Sequence, residues 1–219
     1  TAVIWVVGGD GPSSRGVRSL PLWNHQLFLL INAGASPNPT FVHFVTLLAG
    51  SPVLVGPVLL AGLWVWGRPS ARGALLAVAV AGVVGLGVNV AVGLLYFEPR
   101  PFMIGLGHTW MAHAPDNAFP SDHATFTWTL GLALIMTGGA RRWGAAVCVY
   151  GVAIAWSRIY LGVHSPDDMA ASALVALVAG WLAWACRPLM TVWVLPAVEG
   201  LYESLLRALH VPATFIPRQ

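Results

Sequence analysis

The chain has 219 residues, of which 57% are hydrophobic and only 9% charged, with a mean hydropathy of +0.74. Charges this sparse cannot cover a water-soluble globule of such size, so the composition excludes an ordinary soluble domain and points to a membrane. The formal charge of +3 and the pI near 9.3 come from 11 arginines, with no lysine and no basic run, which argues against a nucleic-acid partner.

From the N-terminus, Thr1 to Gly9 have neither the basic flank nor the length of a signal peptide and read as a surface strap. Leu20, Trp23, Leu27, Leu30 and Ile31 then recur at helical spacing, with Asn24 and His25 opposite. That pattern predicts an amphipathic helix within 20–35 lying in the interface, a short sixth span being the alternative. Five apolar stretches follow. Residues 41–66 and 73–97 are long enough to span with tilt, whereas 122–139, 143–161 and 169–186 are shorter and need their ends in the interface. Pro52 and Pro57 should kink the first of these, and the many glycines allow close helix approach elsewhere. The tail, 188–219, sets Leu205, Leu206 and Leu209 beside Glu203 and Arg207 and reads as a second interfacial segment. The expected fold class is all-α: a single polytopic membrane helical bundle over 1–219, with five to six spanning helices and no soluble second domain. Cys148 and Cys186 lie far apart in apolar stretches and support neither a disulfide nor a metal site.

The connections alternate between two faces. Arg68 and Arg72 follow the first span, Arg141 and Arg142 the third, and Arg187 closes the fifth, so the positive-inside rule makes that side cytoplasmic. Arg15 and Arg18 run against this assignment.

Ionisable residues at membrane depth are costly, and here they converge on the opposite, outward face. Arg100 follows the second span, Asp122 and His123 open the third, Arg158 closes the fourth, and His164, Asp167 and Asp168 precede the fifth. A set of interfacial anchors and helix caps is the alternative. In Pro120-Ser121-Asp122-His123, Ser121 reads as an N-cap, yet the same helix start aims free N–H groups outward as an anion site with His123 at its rim. Gly162 ends one helix and Ser165-Pro166 begins another, which holds His164 at the corner. Asp168, four residues on, can hold one imidazole tautomer and leave the other nitrogen free to attack phosphorus. Alternatively, Ser165-x-x-Asp168 is a capping box and Asp168 serves only the helix start. The carboxylates look too few and too dispersed for two metal ions, so no catalytic metal and no cofactor are expected.

Arg100-Pro101, Pro120-Ser121-x-His123 and Ser157-Arg158-x5-His164-x3-Asp168 resemble, in order and spacing, the three motifs of the type-2 phosphatidic acid phosphatase and haloperoxidase superfamily. The resemblance covers roughly 90–180, the stretch that carries the catalytic motifs. Within the superfamily, Arg100-Pro101-Phe102, Asp122 and the run from Ser157 to His164 are similar to bacterial undecaprenyl-diphosphate phosphatases of the bacitracin-resistance type.

The resemblance implies a lipid phosphate or diphosphate as substrate and in-line transfer to His164 through a phosphohistidine. Arg100, Arg158, Ser121 and the amides near Asp122 and His123 would bind the phosphate, His123 would act as acid and then base, and Asp168 would orient His164. Rival activities are a phosphatidic acid, phosphatidylglycerol phosphate or lipid A phosphatase, a lipid phosphotransferase, a vanadate-dependent peroxidase and a non-enzymatic transporter. The chain departs from the family at Gly93, where the first motif has a lysine. Asn89, His108 and His113 are alternative contributors, and Glu98 is expected to pair with an arginine.

Overall fold

The computed structural model describes residues 21–210; the strap expected over Thr1 to Gly9 and the last residues of the tail lie outside the described residues. Eight α-helices make up most of it: α1 (Leu22–Ile31), α2 (Pro39–Gly50), α3 (Pro52–Trp66), α4 (Arg72–Leu95), α5 (Asp122–Met136), α6 (Arg141–Tyr160), α7 (Pro166–Leu189) and α8 (Leu195–Ala208). There is no strand among the described residues, only an isolated bridge between Pro99 and Asn117.

The central helix is α5, packed on α4, α6 and α7 and more lightly on α3. Its sequence suits that position because Ala124, Thr125, Thr127, Thr129, Leu130, Gly131, Ala133 and Leu134 are all buried, a set dominated by small side chains. Contact with α6 is made glycine to glycine: a Cβ on Gly131 would lie 2.6 Å from Cys148 Sγ, and one on Gly144 2.7 Å from the Gly131 carbonyl oxygen. Small residues let helix backbones approach in this way where no hydrophobic force drives them together in lipid. Leu75, Val78, Leu130, Leu134 and Val147 form the main core cluster. Apolar side chains also cover the outside, among them Leu54, Val83, Leu94, Val149 and Trp193, as expected of a lipid-facing surface.

Two helical stretches, Pro69–Leu95 and Pro166–Ala208, are long and apolar enough to cross a bilayer, and a third is added if α2 and α3 count as one broken span. The expected first span is therefore bent, by 51° at Ser51–Pro52, because Pro52 opens a new helix there; Pro57 sits inside α3 without ending it. α5 has 15 residues and rises about 22 Å, short of the ~30 Å hydrocarbon layer. α6 has the length but carries Arg141, Arg142 and Arg158. The tail does not begin at Pro188, which lies within α7; a π-helical turn, Met190–Val194, leads on to α8.

α1 packs through two residues. Asn24 and Phe28 are buried while Leu22, Leu29 and Leu30 are exposed, so one polar and one apolar side chain face the bundle. The polar one makes a bond across the bundle, from the Asp167 backbone N–H to Asn24 Oδ1 at 3.2 Å.

From α4 to α7, helices consecutive in the chain run antiparallel, while α5 and α7 start side by side, and this sorts the charges by end. At one end Arg187 donates to the Thr137 carbonyl at 2.9 Å, and Arg72 pairs with Glu199 at 2.9 Å beneath the rings of Trp64 and Tyr202. The other end is capped by the loop from α4 to α5. Asn32 pins that loop by donating to the His108 carbonyl and accepting from the His108 N–H. Gly162, with φ +78° and the His108 carbonyl packed against it, turns the chain out of α6 where a Cβ would collide.

Candidate active site

The loop between α6 and α7 presents His164, which is 2% exposed. Its Nδ1 lies 3.1 Å from Asp168 Oδ2, and its Nε2 lies 3.1 Å from Arg100 Nη1 and 3.4 Å from Arg158 Nη2. The bonding selects the tautomer: Nδ1–H donates to the carboxylate, and the Nε2 lone pair faces two guanidiniums. Burial, then the charges of Arg158 and Arg100, push His164 well below the usual imidazole range, so the ring is neutral. A neutral imidazole with one nitrogen held and the other directed into a cationic pocket is what a nucleophile toward a phosphate requires.

Asp168 makes the contacts of both readings in one geometry. The capping box is formed, with Asp168 Oδ2 accepting from the Ser165 N–H at 2.8 Å while it also accepts from His164. Asp168 is completely buried, and its one carboxylate both caps α7 and contacts the ring.

Arg100 is fixed on all sides. Nε donates to Asp116 at 2.7 Å, Nη1 to the Val163 carbonyl at 2.9 Å and Nη2 to the Asn117 carbonyl at 3.1 Å. Arg158 is 1% exposed and less engaged: Nη1 faces Met111 Sδ at 3.8 Å, and Nε has no partner. Unused N–H groups on a buried arginine are available to an anion.

Ser121 takes the N-cap position of α5, but its side chain makes no capping bond, contrary to the simple expectation. Its Oγ is buried and unpartnered, while its N–H donates to Ser172 Oγ at 2.9 Å. Ser172 in turn donates to the Asp168 carbonyl at 2.7 Å, which ties the start of α5 to the start of α7. His123 is half-buried with a ring that makes no hydrogen bond, within electrostatic reach of Arg158, Arg100 and His164. Asp122 is exposed and turned toward Asn89, whose Nδ2 donates to it at 2.8 Å.

The structure thus brings Arg100, Arg158, His164 and Asp168 into direct contact, with Ser121 joined through Ser172 and His123 at the edge. The Asp122 side chain is not part of the cluster; only its backbone amide, in the first turn of α5, lacks an intrahelical acceptor. Asn89 is not available to a substrate, since Asp122, Thr125 and Pro120 take its amide. A Cβ at Gly93 would meet Asn117 Nδ2 at 3.0 Å and nothing else. His108 is exposed, with its backbone bound to Asn32, and stands apart. His113 stands beside the site, its ring centroid 6.4 Å from that of His164; burial and Arg100 lower its proton affinity, so it adds no charge at neutral pH.

Two expectations about carboxylates change. Glu98 does not pair with an arginine: Arg100 turns to Asp116, and Glu98 Oε2 accepts from Tyr96 Oη at 3.0 Å. Nor are the carboxylates dispersed. One oxygen each from Glu98, Asp167 and Asp168 lie within 4.8 Å of one another, making these the residues that could hold a cation. Sequence reasoning missed Asp116 and Ser172. Ser172 was findable, four residues beyond Asp168 on the same helix face. Asp116 was not, because its place depends on how a long loop folds back on Arg100.

Residues 71–191 match the PAP2 superfamily, and the chain belongs to it. It is a membrane phosphatase. Among its relatives, YbjG of Escherichia coli (strain K12), named as a candidate undecaprenyl-diphosphatase, is 37% identical over 78% of this chain and 82% of its own. The undecaprenyl-diphosphatase BcrC of Bacillus subtilis (strain 168) is 29% identical over 85% of this chain and 95% of its own. The crystal structure of Aquifex aeolicus LpxE has the same fold, with a TM-score of 0.65 over 77% of this chain and 98% of that one, at 22% identity.

Proposed function

We propose that the protein hydrolyses undecaprenyl diphosphate to undecaprenyl phosphate and phosphate. The observation that carries the reaction type is His164, clamped by Asp168 on one nitrogen and facing Arg100 and Arg158 on the other. The two relatives named for this substrate support its identity.

In this reading His164 Nε2 attacks the terminal phosphorus in line, and the bond from phosphorus to the bridging oxygen breaks. The three equatorial oxygens take the free N–H groups of Arg158, a share of Arg100, Ser121 Oγ and the first-turn amides of α5. The phosphate has to displace the arginines from Nε2, so it binds where those contacts now lie. Asp168 stabilises the imidazolium that forms. His123 protonates the leaving oxygen, then deprotonates the water that cleaves the phosphohistidine to free phosphate.

The whole of 1–219 forms one such unit, crossing the membrane five times, with α2 and α3 as one broken span and the ends of α5 and α6 in the interface. The arginine-rich end is cytoplasmic and the site external. Single cysteines placed near Trp110 and near Arg141 test this in intact cells: an impermeant thiol reagent should label only the first. The reverse pattern puts the site in the cytoplasm.

Phosphate release from a panel of purified lipid phosphates and diphosphates in detergent tests the substrate, and His123→Ala sharpens it. A diphosphate expels a phosphate ester whose leaving oxygen has a pKa near ~6. A monophosphate expels an alkoxide, whose conjugate acid is an alcohol about as weak as water. His123→Ala should therefore lower kcat on a monophosphate by about 10²- to 10⁴-fold and on the diphosphate by much less. Equal fractional losses would remove the general-acid role.

A further inference from the structure

The reaction above gives Glu98 no part, yet this residue is only 4% exposed and stands directly behind the nucleophile's carboxylate. The loop holds it firmly. Its N–H donates to Asn117 Oδ1 at 2.8 Å, its carbonyl accepts from the Ala118 N–H at 2.9 Å, and Tyr96 Oη donates to Oε2. The Glu98, Asp167 and Asp168 carboxylates approach within 4.8 Å of one another. Asp167 is fixed by Ser165 Oγ and by its own backbone bond to Asn24, and Asp168 by Ser165 and His164. Arg100 and Arg158 direct donors to Asp116, Met111, two carbonyls and His164, Arg158 Nε has no partner, and neither guanidinium is paired with Glu98.

Two oxygens in this group, Glu98 Oε1 and Asp168 Oδ1, are buried without a partner. Two buried carboxylates, Glu98 and Asp168, beside the half-buried Asp167 and with no cation at hand, disfavour a third negative charge, and a proton held on one of the buried pair gives an orphaned oxygen a role as donor. We propose that Glu98 enters the reaction as a neutral carboxylic acid whose O–H is shared with the Asp167–Asp168 pair, and that as a positioning residue it keeps the Asp168 carboxylate free to serve His164. Burial, with the charge of Asp167 adding to it, raises Glu98 from 4.5 to about 7. Above that pH the proton leaves and a third negative charge appears behind His164. The repulsion is relieved by a proton on Asp168 or by movement of the loop, and either takes support from His164.

The effect on turnover rests on the phosphatase reading, so the experiment has a second arm that does not. The pH dependence of kcat and of the thermal midpoint is measured from about pH 5 to about pH 9 in detergent for wild type, Glu98→Gln and Glu98→Asp. Wild-type kcat should fall above neutrality, approaching about tenfold per pH unit. Glu98→Gln, which mimics the neutral acid, should flatten that limb, and Glu98→Asp, still titratable, should retain one. The sign for stability is the same. A carboxyl raised on folding contributes stability that is fully present below 4.5 and is lost as pH rises through about 7. That decline in midpoint should be steeper in wild type than in Glu98→Gln, where the buried Asp168, itself raised by burial, keeps only its own share of it. Identical pH profiles of midpoint in the two proteins overturn the proposal whatever the substrate is. So does loss of activity on adding chelator with recovery on adding magnesium, which would make the cluster a cation site. Failure of wild type to hydrolyse any lipid phosphate would instead sink the phosphatase reading, while the stability arm still decides Glu98.

Discussion

His164→Ala is expected to lower kcat by roughly 10⁴- to 10⁶-fold, the scale on which loss of a covalent nucleophile acts when the rest of the site survives. The ring is placed by bonds on both nitrogens, and the backbone near it is held independently, by Arg100 on the Val163 carbonyl and by the capping box of α7. Removing the imidazole therefore empties the centre of the site without releasing its walls. Rapid quenching with a terminally labelled lipid diphosphate should trap labelled wild-type protein and no labelled variant. Turnover within about tenfold of wild type would mean that water attacks phosphorus directly, and the phosphohistidine step would be discarded. A thermal midpoint close to wild type guards against reading an unfolded protein as an inactive one.

Asp168→Asn should have the next largest effect, on the order of 10²- to 10⁴-fold in kcat. Asparagine keeps an acceptor for the Ser165 N–H and so keeps most of the cap. It removes the charge that stabilises the imidazolium, and its amide can donate to Nδ1, which favours the tautomer with the proton on Nε2, the attacking atom. The split between readouts is the test: turnover collapses while the melting curve moves little. Near-normal turnover would leave Asp168 with the capping role alone. The converse, a large loss of stability with turnover lost in proportion, would mean that the buried cluster of carboxylates tolerates no change in hydrogen-bonding pattern.

Much of the candidate site was legible from the chain because its parts are local. His164 and Asp168 are four residues apart across a helix start, and Arg158 is six residues before His164 across a turn that Gly162 enforces. These distances are set by helix and turn geometry and hold whatever packs around them. The helices were legible for a similar reason, since long apolar runs punctuated by glycine, proline and arginine define where membrane helices start and stop. Ser121 shows where this reasoning fails. A serine before a helix is assigned to its cap by local rules, and here the Ser121 hydroxyl makes no capping bond and is buried without a partner.

What the sequence determined by itself, then, is that this is a helical membrane protein with an arginine, histidine and carboxylate cluster at one end. Sparse charge and contiguous apolar runs favour a membrane bundle, and the cost of burying charge in it draws the ionisable groups to one end. Only the tertiary structure decided which groups face one another across gaps in the chain. Asp116 rather than Glu98 pairs with Arg100, Asn24 points inward to Asp167, Asn89 is spent on Asp122, and Glu98 closes on Asp167 and Asp168. None of these pairings follows from spacing, because each joins a loop or helix end to a partner whose position depends on the path of the α4–α5 loop and on how α1 docks. For a buried polar group the partner is chosen by whichever donor or acceptor the packed backbone brings within about 3 Å, and that choice exists only once the bundle has closed.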